Sequence, residues 1–255
     1  MKKSNIKVNI TVELVLFLLV IASMIRQLFL GSFQNALLCV LTLILFMIPK
    51  FLEKKLSINI PRPLEVIILL FIFSAEILGE INAFYIKIPV WDTILHTMNG
   101  FLMAAIGFAL IDIFNRSERF SLKMSPYFVA FTAFCFSMTI GVLWEFFEFG
   151  ADWFFHTDMQ KDWIINSIHS VQFRNDGVND PIHIYNITST VVNGEPLPFV
   201  NGYLDIGLID TMKDLIVNFI GAIVFSLIGI IYLKNRKETG IAASLIPKVA
   251  EKKDE

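Results

Sequence analysis

Apolar residues fall into long blocks along this chain, and polar residues mark the joints between them. Six blocks run at Val12–Leu30, Asn35–Phe51, Leu64–Phe84, Ile94–Phe114, Tyr127–Phe147 and Thr211–Leu233. Each is about 17 to 23 residues long, which as a helix crosses the hydrocarbon core of a bilayer. The pattern predicts an all-α polytopic membrane helix bundle of about six transmembrane helices over residues 1–234. A long polar stretch at 156–203 separates the fifth and sixth blocks. A charged tail, 235–255, follows the last. Composition agrees with this class. The chain is 55% hydrophobic and 17% charged, against about 25% charged in an average soluble domain.

Lys2 and Lys3 ahead of an apolar run could mark a signal peptide. The run is longer than the usual signal core of about 7–15 residues and no small-residue cleavage site follows, so it reads as an uncleaved first span. Lysine and arginine then orient the chain through the positive-inside bias. With the N-terminus inside, 16 of them fall on inner segments and 4 on outer ones, Lys213 being left out at the edge of a span. This favours both termini inside, with 156–203 as an outer loop. The setting expected is a cell membrane, with the lipid bilayer as the first partner. The net charge of −2 and the lack of a basic patch offer nothing to a nucleic acid. Cys39 and Cys135 lie within spans and read as small apolar packers.

Polar residues inside the spans recur at helical spacing. Asp92, His96 and Asn99 stand at i, i+4 and i+7 in span four. Glu145, Glu148 and Asp152 stand at i, i+3 and i+7 at the end of span five. Asp210, Asp214 and Asn218 follow at four-residue steps into span six. Each set shares one helix face. Glu76 and Glu80 lie in the outer half of span three, with Glu80 nearer the interface. Asp112, near the inner end of span four, is expected to be solvated. Gly221 and Ala222 allow close helix contact.

The assumed topology sends Glu76, Glu80, Asp92, Glu145, Glu148, Asp152, Asp210 and Asp214 to the outer end. Few cations accompany them: Lys87, Lys213 and a protonated His96. An acid at the centre of a membrane helix costs about 2.5–3.5 kcal/mol on insertion scales. Protonation, water or a bound metal relieves that charge. Carboxylates and an imidazole on facing helices are how bundles build metal sites. The candidate ligands are Asp92, His96, Glu145, Glu148, Asp210 and Asp214, around a divalent metal ion whose identity oxygen-rich composition leaves open. The candidate catalytic residues are Asp92, His96, Glu148 and Asp214. The competing reading is that these groups sit at the water interface and are solvated.

In the outer stretch, Trp163–Val171 suggests a short interfacial helix. Ser189–Val192 and Leu197–Val200 suggest a hairpin about Asn193-Gly194, weakened by Pro196 and Pro198. His156, His169 and His183 read as surface residues rather than ligands. Asn186-Ile-Thr188 fits a glycosylation acceptor only in a secretory host. Lys248–Glu255 reads as disordered.

The motifs Asp92-Thr-Ile-Leu-His96-Thr-Met-Asn-Gly100, Trp144-Glu145-Phe-Phe-Glu148 and Asp210-Thr-Met-Lys-Asp214 with Gly221-Ala222 resemble those of YjdF-like bacterial inner-membrane proteins, and more distantly of VanZ-like membrane proteins. The resemblance spans about Leu64 to Leu233. It implies a shared site and brings no established reaction. Three functions fit: a divalent-metal-dependent hydrolase acting on a lipid or envelope substrate, a proton- or cation-coupled transporter, and a non-catalytic envelope accessory protein.

Overall fold

Helices account for the apolar blocks. The structure is a computed structural model and describes residues 2–56, 58–116, 124–235, 241–246 and 248–249. Among the described residues, five helical stretches are long and apolar enough to cross a membrane: Val12–Phe29, Phe33–Lys55, Trp91–Asp112, Pro126–Phe155 and Leu208–Asn235. The first lies in α1 (Lys2–Phe29). The second joins α2 (Phe33–Leu45) to α3 (Ile48–Leu56). The others are α6 (Trp91–Arg116), α7 (Pro126–Phe155) and α8 (Leu208–Asn235).

The expected span Leu64–Phe84 is not one α-helix. It begins as α4 (Arg62–Phe73, 12 residues) and passes directly into a π-helix, Ser74–Ile81, of 8 residues. The Ser74 carbonyl accepts a hydrogen bond from the Trp91 indole at 3.2 Å, so an outside donor competes at the point where the helix widens. Single turns of π-helix arise where the regular ladder is disturbed. A short helix, α5 (Phe84–Lys87), follows the left-handed Ala83.

The chain divides into two compact units, one formed by Met1–Gly141 with Leu215–Glu255, the other by Val142–Asp214. In the first, one apolar cluster joins α1, α2 and α4 through Leu16, Val20, Cys39, Phe46, Leu69 and Ile72. A second brings Leu64 of α4, Leu102 and Phe108 of α6, Val129 and Ala133 of α7, and Ala222 and Phe225 of α8 together. Phe101 and Phe108 meet Phe225 edge-on at 5.1 and 6.0 Å, and Phe108 meets Tyr232 at 6.5 Å. α6 and α8 therefore run side by side in the same direction. Leu14, Leu18, Phe33, Leu37 and Ile44 point outward and exposed. An apolar exterior of this density suits lipid, where burying a phenylalanine gains packing contacts more than transfer from water.

Backbone proximity takes over as the specifying contact. A β-carbon on Gly100 would collide with the Asn218 carbonyl oxygen, and one on Gly221 with the Thr97 carbonyl oxygen. Glycine at both positions is what lets α6 and α8 touch.

Two further expectations change. Asp112 is buried rather than solvated. It continues the buried face of α6 that carries Ala105, Phe108 and Ala109, since these positions recur at helical spacing. Of the tail expected to be disordered, Lys248–Val249 form β8, antiparallel to β1 (Ile58–Asn59). Just before it, Ile246 is fully buried after α9 (Ile241–Leu245). Residues 236–240, 247 and 250–255 of the tail lie outside the described residues.

The second unit holds the end of α7, the loop and the first turns of α8. The loop is built of short antiparallel strands. β2 (Ile164–Ile165) pairs with β7 (Tyr203–Leu204), and β3 (Ile168–Ser170) pairs with β4 (Ile182–Ile184). The interfacial helix expected over Trp163–Val171 is absent among these residues. β-branched Ile164, Ile165 and Ile168 favour strands, and Asn166 bridges away from a helix by donating to the Ile187 and Asn201 carbonyls at 2.8 and 3.2 Å. The hairpin forms, with β5 (Val191–Val192) against β6 (Glu195–Pro196) rather than Leu197–Val200. Asn193 and Gly194 both have positive φ, 55° and 90°, as a tight two-residue hairpin turn demands.

Candidate functional site

α6 opens at Trp91, held by its indole on Ser74 and by an edge-on contact of 4.9 Å with Phe84. Asp92 occupies the first turn, where the helix dipole favours a carboxylate. One turn on, the His96 imidazole is buried, with Nε2 3.5 Å from Asp92 Oδ1. That is ion-pair range and longer than a hydrogen bond. Asp92 itself is about one-third exposed.

Below this pair the same face of α6 meets a polar seam. Asn99 Nδ2 donates to Asn218 Oδ1 at 3.2 Å. Asn218 Nδ2 reaches Met138 Sδ at 3.6 Å. Ser137 Oγ donates to the Gly100 carbonyl at 2.7 Å. Asn218 is 1% exposed and Ser137 is fully buried. An amide is tolerated at this depth because its polar atoms are partnered. Ser137 gave no signal in the sequence, since a lone serine in a membrane helix commonly bonds its own preceding turn.

In the second unit the acidic residues divide into two kinds. Glu145 and Glu148 are buried on α7, and Glu148 Oε1 accepts the Trp144 indole at 2.8 Å. Asp152, grouped with them by spacing, serves the loop. Its Oδ1 accepts from Thr157 Oγ1 and the Met159 amide, both at 2.7 Å, and its Oδ2 from the Gln160 amide at 2.8 Å. Asp210 is also engaged by the loop, accepting the Lys161 amide at 2.9 Å and the Trp163 indole at 3.3 Å. Gln160 Nε2 donates to Thr211 Oγ1 at 2.6 Å, and the Lys213 ammonium lies 4.1 Å above the Trp163 ring. Asp205 accepts the Trp163 and Ile209 amides at 2.7 Å each, fastening the start of α8. Asp214 is buried one turn further along α8, four residues before Asn218.

Glu76 is half-buried and Glu80 exposed in the π-helix. Farther out on the loop, Arg174 grips Asp176 with two nitrogens, at 3.0 and 2.7 Å. That guanidinium holds the Asp176 carboxyl below its ordinary range. Burial and the neighbouring charges of Asp158, Asp205 and Asp152 push Asp162 above its own.

Chemically, α6 offers one imidazole and one carboxylate on a single face, and α8 carries a buried carboxylate one turn from the amide that bonds that face. No curated protein and no solved structure matches the chain. Residues 9–235 do match the family described as predicted membrane protein (DUF2238), and the chain belongs to that family.

Proposed function

We infer that this membrane protein holds a divalent cation through Asp92, His96 and Asp214, and that the ion activates water against a lipid or envelope substrate. The observation that carries the reading is the buried His96 imidazole beside Asp92 in a helix apolar enough to cross a membrane. Titratable residues within membrane spans are rare and mark ion or substrate sites. Asp92, His96 and Asp214 could hold a metal ion by donor type. The Asn99–Asn218 bond supports including Asp214. It fixes α8 against α6 one turn below the pair, and Asp214 precedes Asn218 by one helical turn. One imidazole with two carboxylates suits Zn²⁺ or Mn²⁺. A bound ion of this kind lowers the pKa of water and polarises a phosphoryl or carbonyl oxygen.

Glu145 and Glu148 stay in the proposal as buried acids able to orient a ligand or take a proton. Asp210 is assigned to the loop, whose amide and indole already occupy its oxygens. The outer placement of this site, the six-span topology and the narrower likeness to YjdF-like and VanZ-like proteins belong to the same reading.

A second reading, cation or proton transport, draws on a different observation. Buried polar residues continue beyond His96 as Ser137, Asn218, Ser226 and Asp112. Purified protein in liposomes of bacterial envelope lipids separates the two. Metal-dependent release of a lipid product, lost in His96→Ala and Asp92→Asn, supports hydrolysis. Flux down a cation gradient without product supports transport. Neither product nor flux overturns both.

A further inference from the structure

We propose that His169 and His183 form a two-histidine chelate for a Cu²⁺-type transition-metal ion on the loop, separate from Asp92 and His96. β3 and β4 pair antiparallel with His169 directly opposite His183. Directly opposed residues on one face of a strand pair bring their side chains together. Here the two Nδ1 atoms lie 2.8 Å apart. Both residues are exposed, so an ion can reach them from solvent.

The spacing selects the geometry. Metal–imidazole bonds are about 2.0–2.1 Å, and two at a right angle put their nitrogens about 2.9 Å apart, whereas a tetrahedral angle needs about 3.3 Å. The pair therefore already has the bite of adjacent positions in a square-planar or tetragonal site, which Cu²⁺ prefers. Zn²⁺ would require the rings to part.

The surroundings hold the pair in place. The Tyr185 ring lies parallel to His183 within 8° at 6.0 Å and meets His169 edge-on at 5.6 Å. Arg174, bidentate on Asp176 and within 3.5 Å of an Asp180 carboxylate oxygen, ties together the segment between β3 and β4. Without metal, one Nδ1–H donates to the other Nδ1. With metal, both lone pairs point at the ion and the proton of the donor ring resides on its Nε2. The step is a change of tautomer between neutral rings, together with a turn of the rings that takes both lone pairs off the line between the nitrogens and onto the ion. The remaining positions on the ion stay open to water or to a ligand.

The test is Cu²⁺ titration of the purified full-length protein in detergent, read by electron paramagnetic resonance with nitrogen-resolved pulsed spectra. It is run in the wild type and in a His96→Ala background, so that the α6 site is counted apart. The expected result is one ion coupled to two imidazoles in both. His169→Ala and His183→Ala should each weaken that ion at least tenfold, and the double variant should lose no more than either alone, because chelation needs both rings. His169→Asn and His183→Asn, which keep a polar side chain on the hairpin, should behave alike. A two-imidazole signal that survives the double variant overturns the proposal. So does a wild type that binds no Cu²⁺ at these rings, which would leave the pair as a hydrogen bond only.

Discussion

Replacing Gly221 by alanine sets two effects of opposite sign against each other. In a helix, alanine is favoured over glycine by about 1 kcal/mol. At Gly221 the added β-carbon runs into the Thr97 carbonyl oxygen. That atom belongs to the backbone of α6 and cannot swing aside as a side chain would. Relief requires α8 to move away from α6, which disturbs the Phe101–Phe225 and Phe108–Phe225 contacts. Overpacking of this kind costs about 1–3 kcal/mol. Gly150 supplies the control, since a β-carbon there meets nothing within 4 Å. Gly150→Ala should be neutral or stabilising by up to about 1 kcal/mol. Gly221→Ala should lie about 1–3 kcal/mol below it. Gly100→Ala should share that sign, and the two together should cost less than their sum, because the first already separates the helices. The assay is reversible unfolding in mixed micelles with increasing dodecyl sulfate. A Gly221→Ala variant as stable as Gly150→Ala would refute the close α6–α8 crossing, and with it the support for placing Asp214 in the site.

Asp152→Ala removes the acceptor of three loop hydrogen bonds, two of them from backbone amides. Faster proteolysis after Thr157 is expected, with Asp152→Asn intermediate; unchanged cleavage would contradict the anchoring role. Asp162 is raised above its ordinary value of 3.8 by burial and then by Asp158, Asp205 and Asp152. Its contribution to stability is fully present below 3.8 and is lost as pH rises through the higher folded value. Asp162→Asn should therefore increase hydrogen-exchange protection of the Lys161 amide at neutral pH, with the gain vanishing near pH 3. Lower protection in the variant at neutral pH would overturn that sign.

The apolar blocks were legible because a helix in lipid needs an unbroken run of apolar side chains, and nothing local competes with it. The π-helix was not, because the indole that donates to the Ser74 carbonyl at its start belongs to Trp91, on a later element. Spacing put Asp92, His96 and Asn99 on one face correctly, since that face is a property of α6 alone. Spacing could not separate Glu148 from Asp152. The difference lies in the Met159 and Gln160 amides, which turn back on Asp152 only once the loop has folded. Trp163–Val171 is apolar enough for either a helix or a strand. The choice fell to Tyr203–Leu204 and Ile182–Ile184, distant partners that no local pattern announces. The same pairing opposes His169 and His183, which read singly as surface residues.

The central claim is that His96 and its carboxylate partners hold a divalent ion. Elemental analysis of protein purified without chelator tests it most directly, with wild type, His96→Ala and the His169→Ala/His183→Ala double variant side by side. The account predicts about one Zn²⁺ or Mn²⁺ per chain in the wild type, retained in the double variant and lost in folded His96→Ala. A folded wild type free of divalent metal, or a His96→Ala variant that keeps its ion, would contradict it.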